Sequence, residues 1–116
     1  MNVRQFYQIT GGNYEEALQR LLDDGRILRY IRLFPSDPSF AALGAALEEG
    51  DAEAAFGAAH ALKGVCLTLS FEETGREASA VTEALRAGNL DQARKLFPSL
   101  AEKYEAVLQA LRETEA

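Results

Sequence analysis

Tryptophan is absent, and histidine, cysteine and methionine occur once each in the 116 residues of the chain. A single cysteine permits no intramolecular disulfide, so cohesion must come from an apolar core. No Gly-rich loop ending in Gly-Lys-Ser/Thr is present to cradle a nucleotide, and no nucleophile-elbow pattern offers a serine for hydrolysis. Basic residues are in deficit, 12 against 18 acidic, and the formal charge of -6 argues against a nucleic-acid or anionic-membrane partner. No apolar run approaches the roughly 20 residues that span a bilayer. Met1-Asn2-Val3-Arg4-Gln5 does not open a signal peptide, so a cytoplasmic monomer that binds neither nucleic acid nor membrane is expected. Segments of strictly alternating polarity, the mark of a half-buried strand, are also missing.

What is abundant is alanine, leucine, glutamate and arginine, which favours a single all-α domain. Residues 3–9 predict a short helix ended by Gly11-Gly12, with Phe6 and Ile9 packed across the end of a bundle. Asn13 predicts a second start, capping a helix in which Glu16 answers at the third position. Leu18, Leu21 and Leu22 form its apolar stripe up to Gly25. Ile27 to Phe34 predicts a strongly apolar third helix halted by Pro35. Arg26, Arg29 and Arg32 lie along one side of it, either as a solvated face or as positive potential for an acidic partner. Asp37-Pro38 is a restart, because aspartate caps and proline suits the first helical position. Phe40, Leu43 and Leu47 make the core stripe that follows, and Gly50 closes it.

Asp51 opens the next helix at once, so the two elements are expected to be antiparallel neighbours. At about 100° per residue, Ala55, Ala58, Ala59, Leu62, Val65, Cys66 and Leu69 gather on one broad face of residues 51–69. His60 falls on the opposite side. Within a turn of it lie Phe56, Gly57, Lys63 and Gly64, with Leu67 two turns on. Each glycine costs roughly 0.8–1.0 kcal/mol relative to alanine inside a helix. Two explanations stand side by side: the glycines leave the imidazole accessible, or they relieve crowding against a neighbouring helix. Cys66, on the apolar face, is expected to be a buried small hydrophobe, and since it points away from His60 the pair cannot begin a metal site. Ser70 with Glu73 gives a second capping signature, opening a helix that packs Phe71, Ala78, Val81 and Leu85. Gly75 allows that helix a close approach, and it ends near Gly88. Asn89 with Gln92 starts the last helix, carrying Ala93, Leu96, Phe97, Leu100, Tyr104, Val107, Leu108 and Leu111. Pro98 is expected to kink that helix over residues 94–97 without ending it.

The pentapeptide His60-Ala61-Leu62-Lys63-Gly64 resembles the His-x-Leu-Lys-Gly signature of the histidine phosphotransfer (HPt) family, the phosphohistidine modules of bacterial phosphorelays. The likeness runs from about Arg26 to the C-terminus. Cys66 stands where the family often has serine, and Ser70 where it often has glycine. The resemblance implies an antiparallel four-helix bundle over residues 26–116, with residues 1–25 as an N-terminal helical cap in one domain of residues 1–116. By position, it makes His60 the phosphorylated residue, Lys63 the cation near the phosphoryl oxygens, and Gly64 the residue that leaves them room. No carboxylate pair suited to Mg²⁺ lies among the helical neighbours of His60. The implied partner, a receiver domain of a response regulator or hybrid histidine kinase, therefore brings both the metal and the reacting carboxylate. The chain would be a phosphocarrier in a two-component phosphorelay, not an enzyme, with no cofactor of its own. Phe56, Gly57 and Leu67 are candidate docking residues. Phe56 and Leu67 could instead be covered by residues 3–25 or by Phe34 and Phe40. The competing function is a helical adaptor of the same fold that binds a receiver or kinase domain without being phosphorylated.

Overall fold

Side-chain caps and apolar spacing together divide the chain into helices. The structure, a computed structural model, describes residues 1–115, which form seven α-helices and one 3-10 turn with no strand among them. In order these are α1 (Val3–Thr10), α2 (Tyr14–Leu21), α3 (Asp24–Ile31), the 3-10 turn Phe34–Ser36, α4 (Ser39–Glu49), α5 (Ala52–Leu69), α6 (Glu72–Arg86) and α7 (Leu90–Arg112). Asn13, Asp51 and Asn89 each accept a backbone N–H three residues on, at 3.0 Å, which satisfies a donor the first turn leaves free. Gly50 ends α4 in the left-handed region at φ 76, as a C-terminal glycine should.

Helices α4 to α7 form the expected antiparallel four-helix bundle, but it begins at Ser39 rather than at residue 26, and α3 packs with α1 and α2. α4 packs on α5, α5 on α6 and α6 on α7, and α7 returns against α4. The connectors at 50–51, 70–71 and 87–89 are too short for any arrangement but antiparallel neighbours. Leu43, Leu47, Ala55, Ala59, Leu62, Cys66, Val81, Leu100 and Val107 are buried between them. α7 continues through Pro98, because Leu100, Tyr104 and Val107 keep the apolar stripe in phase beyond it. Burial pushes the Cys66 thiol up to about 12, with the Asp37 charge adding to it. That cysteine is a core side chain rather than a nucleophile.

The N-terminal helices close one end of the bundle. α1 lies against α7, α2 and α3, and α3 reaches α5. Aromatic rings form the junction: Phe34 meets Phe71 edge-on at 5.1 Å and Tyr104 at 5.3 Å, and Phe6 approaches Phe71 at 5.7 Å. The same helices also finish α5, whose last carbonyls have no partners within the helix. Tyr7 donates its hydroxyl to Leu69 O at 2.7 Å, the Asn13 N–H donates to Ser70 O at 2.9 Å, and Arg20 donates to the carbonyls of Leu67 and Thr68.

The structure departs from the sequence expectation at several points. Ser70 is the left-handed C-cap of α5 at φ 60, not the N-cap of α6, and its hydroxyl donates to Glu16 at 2.8 Å. Glu73, read as its capping partner, instead accepts from Lys103 on α7 at 2.7 Å. The Glu16 carboxylate, read as the partner of Asn13, is held by Ser70 and Arg20, so only the Asn13 half of that capping box forms. Ile9 is 64% exposed, and Thr10 occupies the buried position at the end of α1. α2 stops at Leu21, with Leu22 at φ 80 and 66% exposed, so Gly25 falls inside α3. α3 in turn ends at Ile31, and Pro35 sits within the 3-10 turn.

Two measurements test this account. Leu62 is fully buried on the core face of α5, so Leu62→Ala should lower stability by roughly 2–5 kcal/mol in a denaturant melt. The second concerns pH. The hydrogen bond and charge of Lys103 hold the Glu73 carboxyl below its ordinary value of 4.5, and Glu73 raises Lys103 above 10.5. A lowered carboxyl contributes stability above its unfolded pKa that is lost as pH falls through the folded one. A raised ammonium contributes below its unfolded pKa and loses that contribution as pH rises through the folded one. The melting temperature of the wild type should therefore fall more than that of Glu73→Gln on acidification below pH 4.5. The difference should be small, because the pair is solvated.

Candidate functional site

Burial of Ala55, Ala59, Leu62, Cys66 and Leu69 fixes the rotation of α5 about its own axis. His60 is thereby turned outward and is exposed. Its ring lies against that of Phe56, with centroids 5.9 Å apart and planes 14° from parallel. Arg86, in the last turn of α6, places its guanidinium carbon 5.0 Å from the centre of the Phe56 ring. Phe56 is half-buried between these groups and the core.

Gly57 and Gly64 border the imidazole along the helix. A Cβ added at either would meet nothing within 4 Å, so no neighbouring helix crowds them. Gly75 is the contrast, since a Cβ there would stand 3.4 Å from that of Cys66 where α6 closes on α5. The two glycines beside His60 leave an unobstructed flank.

Lys63 is half-buried in a cleft between α5 and α6 of about 340 Å³, lined also by Leu67, Arg76 and Ser79. Its ammonium enters none of the ion pairs among the described residues. Leu67 is 60% exposed, and Arg20 reaches its carbonyl without covering its side chain. Among the described residues, no group of three or more His, Cys, Asp or Glu side chains is placed to hold a metal.

The family model for the Hpt domain matches residues 35–113. The chain belongs to this family. No curated protein and no solved structure gives a match. The matched part of this Hpt domain runs from the 3-10 turn through α7 and contains His60, Lys63 and Gly64, while α1, α2 and α3 precede it.

The structure brings the candidate residues of α5 together on one flank and divides them by exposure. His60, Gly57, Gly64 and Leu67 are open, whereas Lys63 and Phe56 are half-buried. Two features were not anticipated from the sequence. Tyr30 and Leu33, assigned to an apolar helix, are 46% and 61% exposed. With Phe34, Ala61, Gly64 and Val65 they line a groove of about 500 Å³ beside Gly64. Helical spacing was the available signal, because in phase with the buried Ile27, Leu28 and Ile31 both Tyr30 and Leu33 fall outside the apolar stripe. The approach of Arg86 to Phe56 had no local signal, since it joins residues thirty positions apart on two helices. Arg26, Arg29 and Arg32 are exposed, in keeping with a solvated face.

If the glycines serve no packing role, replacing them should strengthen the fold. Gly64→Ala and Gly57→Ala are each expected to raise stability by up to about 1 kcal/mol, measured by thermal or urea melts. A loss of stability would show crowding that the structure does not contain.

Proposed function

We propose that this Hpt domain is a phosphocarrier that accepts a phosphoryl group on His60 from the aspartate of one receiver domain and passes it to another. The observation that carries this reading is an exposed imidazole, inside the His-x-Leu-Lys-Gly motif, between two glycines whose side-chain space is empty.

The chemistry follows from that placement. An imidazole in its neutral form is a competent nucleophile. One ring nitrogen offers its lone pair to phosphorus, and a P–N bond forms as the P–O bond to the receiver's aspartate breaks. The electron pair stays on the carboxylate, while the other ring nitrogen keeps its proton. The return step reverses each of these changes, so one site serves both directions. Charge on the three equatorial oxygens must be balanced. Lys63, one turn from His60, supplies one cation from this chain. The receiver supplies its own carboxylate and Mg²⁺.

Docking would use the same flank. Leu67 stands free at one end, and Gly57 lets a partner backbone approach. An apolar group exposed beside a reactive one is a common mark of a partner surface. The chain would work in the cytoplasm as a monomer, one receiver at a time.

Incubation with a receiver domain phosphorylated on its aspartate tests the proposal. Acid-labile, base-stable label should appear on the wild type and be lost in His60→Gln. Binding without label would favour the non-phosphorylated adaptor. Lys63→Ala should slow transfer roughly tenfold, the equivalent of about 1.4 kcal/mol, and leave the melting temperature unchanged. Gly64→Gln should keep the helix content and block transfer by crowding the ring.

A further inference from the structure

The imidazole of His60 is exposed, but it is not loose. Phe56, the only other ring on α5, lies one helical turn before it and is near-parallel to it, 14° apart with centroids at 5.9 Å, an offset stack. Phe56 is itself anchored. Part of the ring packs against the core, and Arg86 lies within cation–π reach of it at 5.0 Å. Arg86 is steadied in turn by Glu83, to whose carboxylate its Nε donates at 3.1 Å. Glu83, Arg86, Phe56 and His60 thus form a continuous chain of contacts from α6 to the imidazole.

We infer that Phe56, held by Arg86, is a positioning residue that fixes the plane of the His60 ring before a partner arrives. The lone pair that attacks phosphorus lies in the imidazole plane, and in-line displacement requires it to point along the axis to the leaving oxygen. The torsion that turns an imidazole plane about its Cβ–Cγ bond is broad and roughly two-fold, so an unsupported exposed histidine samples many planes. Stacking removes that freedom in advance, the kind of ordering that raises the rate of a displacement without adding a catalytic group. It also closes one face of the ring while the empty space at Gly57 and Gly64 keeps the flank around it open.

The kinetic part of this inference rests on the phosphocarrier role proposed above, whereas the stacking is measured without any phosphoryl transfer. Because the chain has one histidine, its two ring C–H resonances are identified in a proton NMR spectrum by their loss in His60→Gln. The Phe56 ring current should displace them. Phe56→Leu should return both toward the positions of an unstacked histidine, Phe56→Tyr should leave them in place, and Arg86→Gln should shift them part of the way. In transfer from a phosphorylated receiver domain, Phe56→Leu should lower the maximal rate roughly tenfold with receiver affinity unchanged, and Phe56→Tyr should restore it. Melting curves of each variant separate these effects from unfolding, and Arg86, half in solvent, can be replaced without opening the core. Resonances that stay in place in Phe56→Leu would overturn the inference. So would a rate loss that appears only as weaker receiver binding, which would make Phe56 a docking contact. A wild type that accepts no phosphoryl group from any receiver would overturn the carrier role, and the resonances would still decide whether the ring is held.

Discussion

Burial of one stripe on α5 is the constraint from which the other features of the molecule follow. Ala55, Ala59, Leu62, Cys66 and Leu69 face inward, and once they do, His60 has only one direction left. The stripe is narrow because three of its partners are small: alanine twice and cysteine once. Small side chains let α4 and α6 come close, and Gly75 lets α6 come closer still. A helix gripped from several sides while one flank stays open is a rigid mount for the side chains on that flank.

The grip extends past the bundle itself. The last carbonyls of α5 are received by Tyr7, Asn13 and Arg20 from helices outside the segment that matches the Hpt family. A guanidinium at the C-terminal end of a helix also answers the negative end of its dipole. The N-terminal helices therefore complete the helix that carries His60.

Most of the bundle was legible in the sequence because its signals are local. Asn13, Asp51, Asn89 and Gly50 act on backbone groups within a few residues, and each does in the structure what its position foretold. The outward direction of His60 was legible for a similar reason, since helical periodicity needs no knowledge of a partner. What misled was local pattern overridden from a distance. Ser70 and Glu73 have capping spacing, but Lys103 takes the carboxylate and Glu16 takes the hydroxyl. Leu22 and Leu33 look like core residues by composition, yet Leu22 falls just beyond the end of α2 and Leu33 lies opposite the stripe of Ile27, Leu28 and Ile31, so both are exposed. The contact of Arg86 with Phe56 belongs to the same class, because a cation and a ring on different helices leave no periodic trace.

The chain has one histidine, exposed on one flank of α5. In the phosphocarrier role proposed above, a donor and an acceptor that both need this ring would occupy the same ground and exclude each other sterically. Traffic through such a carrier would be sequential, and its throughput would be bounded by how quickly each visitor lets go. Tight binding to either one would throttle the exchange, which favours brief encounters over a lasting complex.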